Sequence, residues 1–164
     1  MTKVQRGSGR RDGEIDADID TLWAVLTDWG NMDWWGNELE QDGMKAGKTY
    51  LDGEKGKVPR TKVIERENAD NAGLPIVNRE TLFLEDRLTY RLYYNGTDNF
   101  IVGVRNYIAT WALDPLPDGR CKMHISSNFD VIAPGDVNAV RDTVEAVYEM
   151  IFSGLNRYLK NRKS

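Results

Sequence analysis

The stretch DVNAVRDTVEAVYEMIFSGLNRYLK, residues 136–160, decides how this chain folds. Its apolar residues are Val137, Val140, Val144, Val147, Tyr148, Ile151, Phe152, Leu155, Tyr158 and Leu159. Steps of three and four place them on one face of a helix. Asp136 stands where an N-cap is needed, directly after the turn formers Pro134 and Gly135. Arg157, Lys160, Arg162 and Lys163 gather at the far end, where the helix dipole favours cations. At ~1.5 Å per residue such a helix is roughly 37 Å long. Gly154 interrupts it at ~1 kcal/mol relative to alanine, which requires either close packing or the approach of a ligand. A stripe of that length needs a broad apolar partner.

Only short strands precede it. Strand patterns run through Arg10–Ile15, Leu39–Met44, Lys48–Asp52, Val58–Glu67, Val77–Leu84, Leu88–Tyr94, Gly103–Leu113 and Arg120–Val131. The last two are joined by Asp114-Pro115-Leu116-Pro117-Asp118-Gly119, a hairpin connection. Asp18–Asp28 reads as a short helix, and Trp29–Trp35 as a break with one further helical turn. Residues 1–9, with Gly7-Ser8-Gly9, read as a flexible tail, and 10–164 as one domain. The expected class is α+β: a curved antiparallel sheet of six or seven strands gripping the long C-terminal helix, with two short helices after the first strand.

Composition narrows the function. The net charge is −4 with both signs interleaved, so no basic stripe marks a nucleic-acid surface. No apolar run reaches the ~18 residues of a membrane span. One histidine and one cysteine leave no cysteine/histidine zinc site, and neither a phosphate loop nor a dinucleotide fingerprint is present. No cofactor or metal is expected. The lone Cys121 and the lack of a secretory pattern suggest a cytoplasmic protein.

The period of two assigns strand faces. Cys121, Met123, Ile125, Ser127 and Phe129 turn toward the helix, which sends His124 outward. Tyr107, Ala109, Trp111 and Leu113 form the inner set of the preceding strand. The parity of Leu82 and Leu84 carries Glu80 inward, and a carboxylate there needs a partner or water. Either Arg60, the nearest candidate arginine, pairs with it, or it meets a polar ligand.

The order of elements resembles the helix-grip fold of the SRPBCC superfamily, which includes START-like, birch-pollen-allergen-like and polyketide cyclase/dehydrase-like proteins. Ile15–Trp29, Arg79–Asp86, Val104–Gly119 and Ala146–Lys160 carry the likeness. Ala72-Gly73-Leu74-Pro75 followed by Arg79-Glu80 is similar to the gate loop and acidic residue of plant abscisic-acid receptors, and Arg105-Asn106-Tyr107 to the end of their latch. The rest of that latch is absent, Val102-Gly103-Val104 standing in its place, and no lysine stands around Trp34–Leu39. The resemblance implies a ligand cavity with a mobile entrance and argues against hormone recognition.

The expected function is therefore a carrier or sensor that holds a bulky hydrophobic small molecule between sheet and helix. The alternative is a cofactor-independent cyclase, dehydratase or isomerase acting on an aromatic or isoprenoid-like substrate. A third reading is an interaction scaffold whose interior is filled by its own five tryptophans and seven tyrosines. Glu80 and Tyr107 are the expected catalytic pair, with Tyr90 and Glu65 as further proton-transfer candidates. The expected ligand contacts are Trp34, Arg60, Leu74, Pro75, Glu80, Leu82, Tyr90, Tyr107, Trp111, Ser127, Phe129, Val147, Met150, Ile151 and Gly154. The protein is expected to be a monomer or homodimer with no nucleic-acid partner and no integral membrane association.

Overall fold

The computed structural model describes residues 2–35, 46–66 and 77–163. Among them, seven strands form one antiparallel sheet: β1 (Val4–Ile15), β2 (Ala46–Asp52), β3 (Arg60–Arg66), β4 (Val77–Asp86), β5 (Arg91–Asn95), β6 (Val104–Pro115) and β7 (Cys121–Ile132). Their order is β1-β7-β6-β5-β4-β3-β2. The helices are α1 (Ile19–Thr27) and α2 (Val137–Arg162). The fold is α+β, a sheet gripping a long C-terminal helix.

α2 forms for the reasons its sequence suggests. Asp136 caps it by accepting a hydrogen bond from the Ala139 amide at 2.8 Å. Val140, Val144, Tyr148, Ile151, Phe152, Leu155 and Leu159 are buried along one face. The alternation of β7 holds throughout: Cys121, Met123, Ile125, Ser127, Phe129 and Val131 are buried. His124 stands on the opposite face, its Nδ1 2.8 Å from Asp12 and its Nε2 3.0 Å from Asp114.

Four expectations change. The first strand starts at Val4, so the supposed tail is part of the sheet and pairs with β7 from Val4–Ile132 onward. A Cβ at Gly7 would stand 2.3 Å from the Phe129 ring. That glycine makes room for an aromatic side chain and does not mark a loose segment. Second, α1 is the one short helix among the described residues after β1. At Asp33–Trp35 the chain makes a turn, closed by the Trp35 amide and the Met32 carbonyl at 2.9 Å. Third, a bulge between Leu82 and Leu84 reverses the parity of β4, so Leu82 is buried and Leu84 exposed. Fourth, Leu88 lies outside β5 in a turn anchored on Asp86, which accepts from the Leu88 amide and the Thr89 hydroxyl. The expected strand at Leu39–Met44 and the turn-rich segment before Val77 lie outside the described residues.

Candidate functional site

Between α2 and the sheet lies a cavity of about 150 Å³. Of the residues named as ligand contacts, Trp34, Glu80, Tyr107, Trp111, Val147 and Ile151 stand in its wall, joined by Met32, Trp35, Lys62, Ile64, Asn78, Tyr94, Gly96, Phe100, Ile101, Thr143 and Tyr148. Aromatic rings supply much of the wall. Trp111 packs against Trp29 at 5.5 Å, Tyr94 at 5.3 Å and Trp34 at 6.1 Å between ring centroids. Phe100 meets Tyr107 edge-on at 4.9 Å. These rings explain why the space falls below the ~300 Å³ low end of ordinary ligand pockets.

The main correction concerns the partner of Glu80. It is Lys62, whose Nζ lies 2.9 Å from Glu80 Oε2. The two residues face each other across β3 and β4 in direct register, the arrangement in which opposite charges attract. Lys62 is only 2% exposed, with its ammonium 4.1 Å from the centre of the Trp29 ring and 5.7 Å from that of Trp111. Aromatic faces attract such a cation, and the attraction grows with desolvation. The Trp29 indole N–H donates to the Glu80 carbonyl at 2.8 Å, which fixes that ring against β4.

Arg60, the expected partner, is committed elsewhere. It donates to the Thr27 carbonyl at 2.7 Å, the Lys57 carbonyl at 2.9 Å and the Glu85 carboxylate. The carbonyl end of α1 and a carboxylate therefore hold it two residues along β3 from Lys62, away from the cavity wall.

Several other expected contacts also lie off that wall. Tyr90 donates its hydroxyl to Asp20 at 2.7 Å beside α1, and this bond raises its pKa. Leu82 and Phe129 are buried in the core. Ser127 accepts a hydrogen bond from the Tyr148 hydroxyl. Met150 and Glu65 are also absent from the cavity wall. A Cβ at Gly154 would approach the Trp34 carbonyl oxygen to 2.4 Å, so close packing accounts for the mid-helix glycine. Leu74 and Pro75 lie outside the described residues.

Three phenols belong to the wall: Tyr94, Tyr107 and Tyr148. Burial pushes all three well above the ordinary tyrosine range, with the charge of Glu80 adding to the rise at Tyr94. They therefore stay neutral hydroxyls near neutral pH. The hydroxyls of Tyr107 and Tyr148 lie 2.7 Å apart, and Tyr148 passes its proton's hydrogen bond on to Ser127. The site can thus supply a carboxylate, an ammonium and neutral hydroxyls inside an aromatic enclosure. Among the described residues, no group of three metal-binding side chains is found.

A larger, open groove of about 810 Å³ runs between α1, the β6–β7 turn and the end of α2. Its charges already answer one another: Lys163 donates to the Asp16 carbonyl at 2.8 Å, and Arg120 pairs with Asp118 at 2.7 Å. The cavity under α2, whose wall holds the buried Lys62, is the stronger candidate. No described helix is long and apolar enough to cross a membrane.

Solved structures share this architecture. A norcoclaurine synthase point mutant from Thalictrum flavum, in complex with a transition-state analogue, matches with a TM-score of 0.70 at 16% identity over 100% of both chains. The same synthase in complex with dopamine and hydroxybenzaldehyde matches at 0.68 and 16% identity, covering 99% of this chain and 90% of that one. A protein from Nitrosospira multiformis matches at 0.68 and 13% identity, covering 92% and 94%. At these identities the likeness concerns the fold. A search of the curated proteins finds no significant match. The family model described as polyketide cyclase/dehydrase and lipid transport matches residues 7–160, and the chain belongs to that family.

Proposed function

We propose that this protein encloses a small, largely apolar molecule about one ring in size, as a carrier or sensor. The carrying observation is the aromatic cavity of about 150 Å³ with a buried ion pair in its wall. An apolar cavity of ~150 Å³ is large enough to hold benzene. An apolar guest that displaces water from this wall gains ~25 cal/mol for each Å² of apolar surface it buries. The guest is smaller than the bulky molecule expected from the sequence, because the chain's own rings occupy part of the interior.

Thermal unfolding with and without single-ring aromatic compounds tests this reading. A compound at ~100 times its Kd adds about 2.7 kcal/mol to stability. That corresponds to a rise of roughly 5–10 °C in the melting midpoint for a chain of this length. Native mass spectrometry would reveal a co-purifying molecule. No shift with any such compound, and no bound mass, would overturn the reading.

A second reading is favoured by the Lys62–Glu80 pair. A carboxylate and an ammonium 2.9 Å apart beside an enclosed substrate can move a proton, as a cyclase, dehydratase or isomerase requires. The norcoclaurine synthase that shares the fold was solved with an amine and an aldehyde, each bearing one aromatic ring. Turnover abolished in Glu80→Gln with binding retained would select this reading over the carrier. Equal turnover would remove Glu80 from the mechanism.

A further inference from the structure

Resting on the one-ring cavity proposed above, we infer that the guest is electrically neutral and carries a hydrogen-bond acceptor and a hydrogen-bond donor. A monocyclic aromatic with a carbonyl and a hydroxyl fits that description. Two observations carry the inference.

The first is charge. Lys62 and Glu80 face each other in the cavity wall at 2.9 Å, so their charges cancel where a guest would sit. An anionic guest would approach Glu80 as well as Lys62, and a cationic one the reverse. Either would surrender its hydration for a site that is already balanced. The cavity therefore selects against ions of both signs.

The second is unmatched polarity. The indole nitrogen of Trp35 is buried and has no hydrogen-bond partner among the described residues, whereas that of Trp111 donates toward the Tyr94 hydroxyl. Asn78 Oδ1, like the Trp35 nitrogen, is buried without a partner among them. Trp35 and Asn78 both line the cavity. The Asn78 amide nitrogen turns toward Glu80 Oε1 at 3.5 Å, which leaves its oxygen as the free end. A buried N–H or C=O without a partner is expensive, and a guest that answers it removes that penalty. One donor and one acceptor thus ask for a guest with a carbonyl-type oxygen and an O–H or N–H. The hydroxyl chain of Tyr107, Tyr148 and Ser127 leaves no such mismatch at its end.

The test is calorimetric titration of four ligands at pH 7: 4-hydroxyacetophenone, its apolar isostere 4-isopropyltoluene, anionic 4-hydroxybenzoate and cationic 4-hydroxybenzylamine. They are compared on wild type, Trp35→Phe and Asn78→Leu. The neutral ketone is expected to bind at least about tenfold more tightly than either ion. Each substitution should weaken the ketone about fivefold to tenfold, the worth of one hydrogen bond, and leave 4-isopropyltoluene unchanged or tighter. Equal losses for both neutral ligands, or an ion binding as well as the ketone, would overturn the inference while the one-ring cavity stood. If none of the four binds wild type, both the inference and the reading beneath it fail. The wild-type charge series needs no variant, so a substitution that impaired folding would still leave the charge argument decided.

Discussion

Arg60 and Lys62 sit two residues apart on β3, both almost wholly buried and each facing a carboxylate, yet they do different things. Arg60 has its guanidinium distributed over two backbone carbonyls and Glu85. It closes the C-terminal end of α1, where unpaired carbonyls and the helix dipole both favour a cation. Lys62 has one carboxylate and two aromatic faces, and its remaining surroundings are the cavity. The comparison teaches that burial alone does not mark a functional charge. What marks it is the share of its surroundings that the protein leaves for something else.

The largest expected effect breaks the structural side. Arg60→Met strands Glu85 and the Thr27 carbonyl, and urea unfolding should show a loss of about 3 kcal/mol, as for other broken buried pairs. On the cavity side, Gly154→Ala places a methyl against the Trp34 carbonyl. The clash exceeds the ~1 kcal/mol gained in helix propensity. A net loss of about 2 kcal/mol is expected, with weakened ligand binding, because Trp34 is part of the wall. An unchanged or raised stability would show that the Trp34 segment yields freely.

Lys62→Met sharpens the contrast most directly. Glu80 is 21% exposed and can recruit water, so a loss of only about 1–2 kcal/mol is expected, clearly less than for Arg60→Met. The uncompensated Glu80 should then improve binding of 4-hydroxybenzylamine relative to wild type. If Lys62→Met proved as damaging as Arg60→Met, with no change in ligand preference, the two cations would share a structural role. Tyr148→Phe removes the bridge between Tyr107 and Ser127 and should cost about 1 kcal/mol in the same unfolding assay.

A last effect, visible only against pH, concerns Cys121 at the start of β7, paired with Ile15. Burial raises its thiol from 9.0 to about 11. The unfolded chain therefore ionises before the folded one. The stabilisation is complete below pH 9 and is lost as pH rises through the folded value near 11. Wild type should lose more stability than Cys121→Ala between pH 8.5 and 10.5. Parallel curves would count against a protected thiol.

Long regular elements were legible from the sequence because their periods repeat. α2 has ten apolar residues in steps of three and four, and β7 alternates without interruption. The inward turn of Glu80, Tyr107 and Trp111 followed from the same rule. Lys62 escaped because a lysine in a charged strand reads as solvated by default, and the partner sought for Glu80 was an arginine. The signal was available in the parity of Lys62 with Ile64, but it needed the β3–β4 register, which only the fold provides. Leu84 and the first strand failed for local reasons. A one-residue bulge leaves no trace in composition, and Gly7 looks the same whether it loosens a tail or admits a phenylalanine ring.

The run of hydroxyls beside α2 bears on how a guest is oriented. Tyr107 and Tyr148 share one hydrogen bond and Tyr148 shares the next with Ser127, so these hydroxyls satisfy one another without a guest. A hydroxyl both gives and accepts, so this end of the chamber adapts to either kind of polar group. The opposite side, with Lys62, Glu80 and the Trp35 indole, is fixed in what it gives and takes, so it is there that a visitor with unlike ends is told which way to lie.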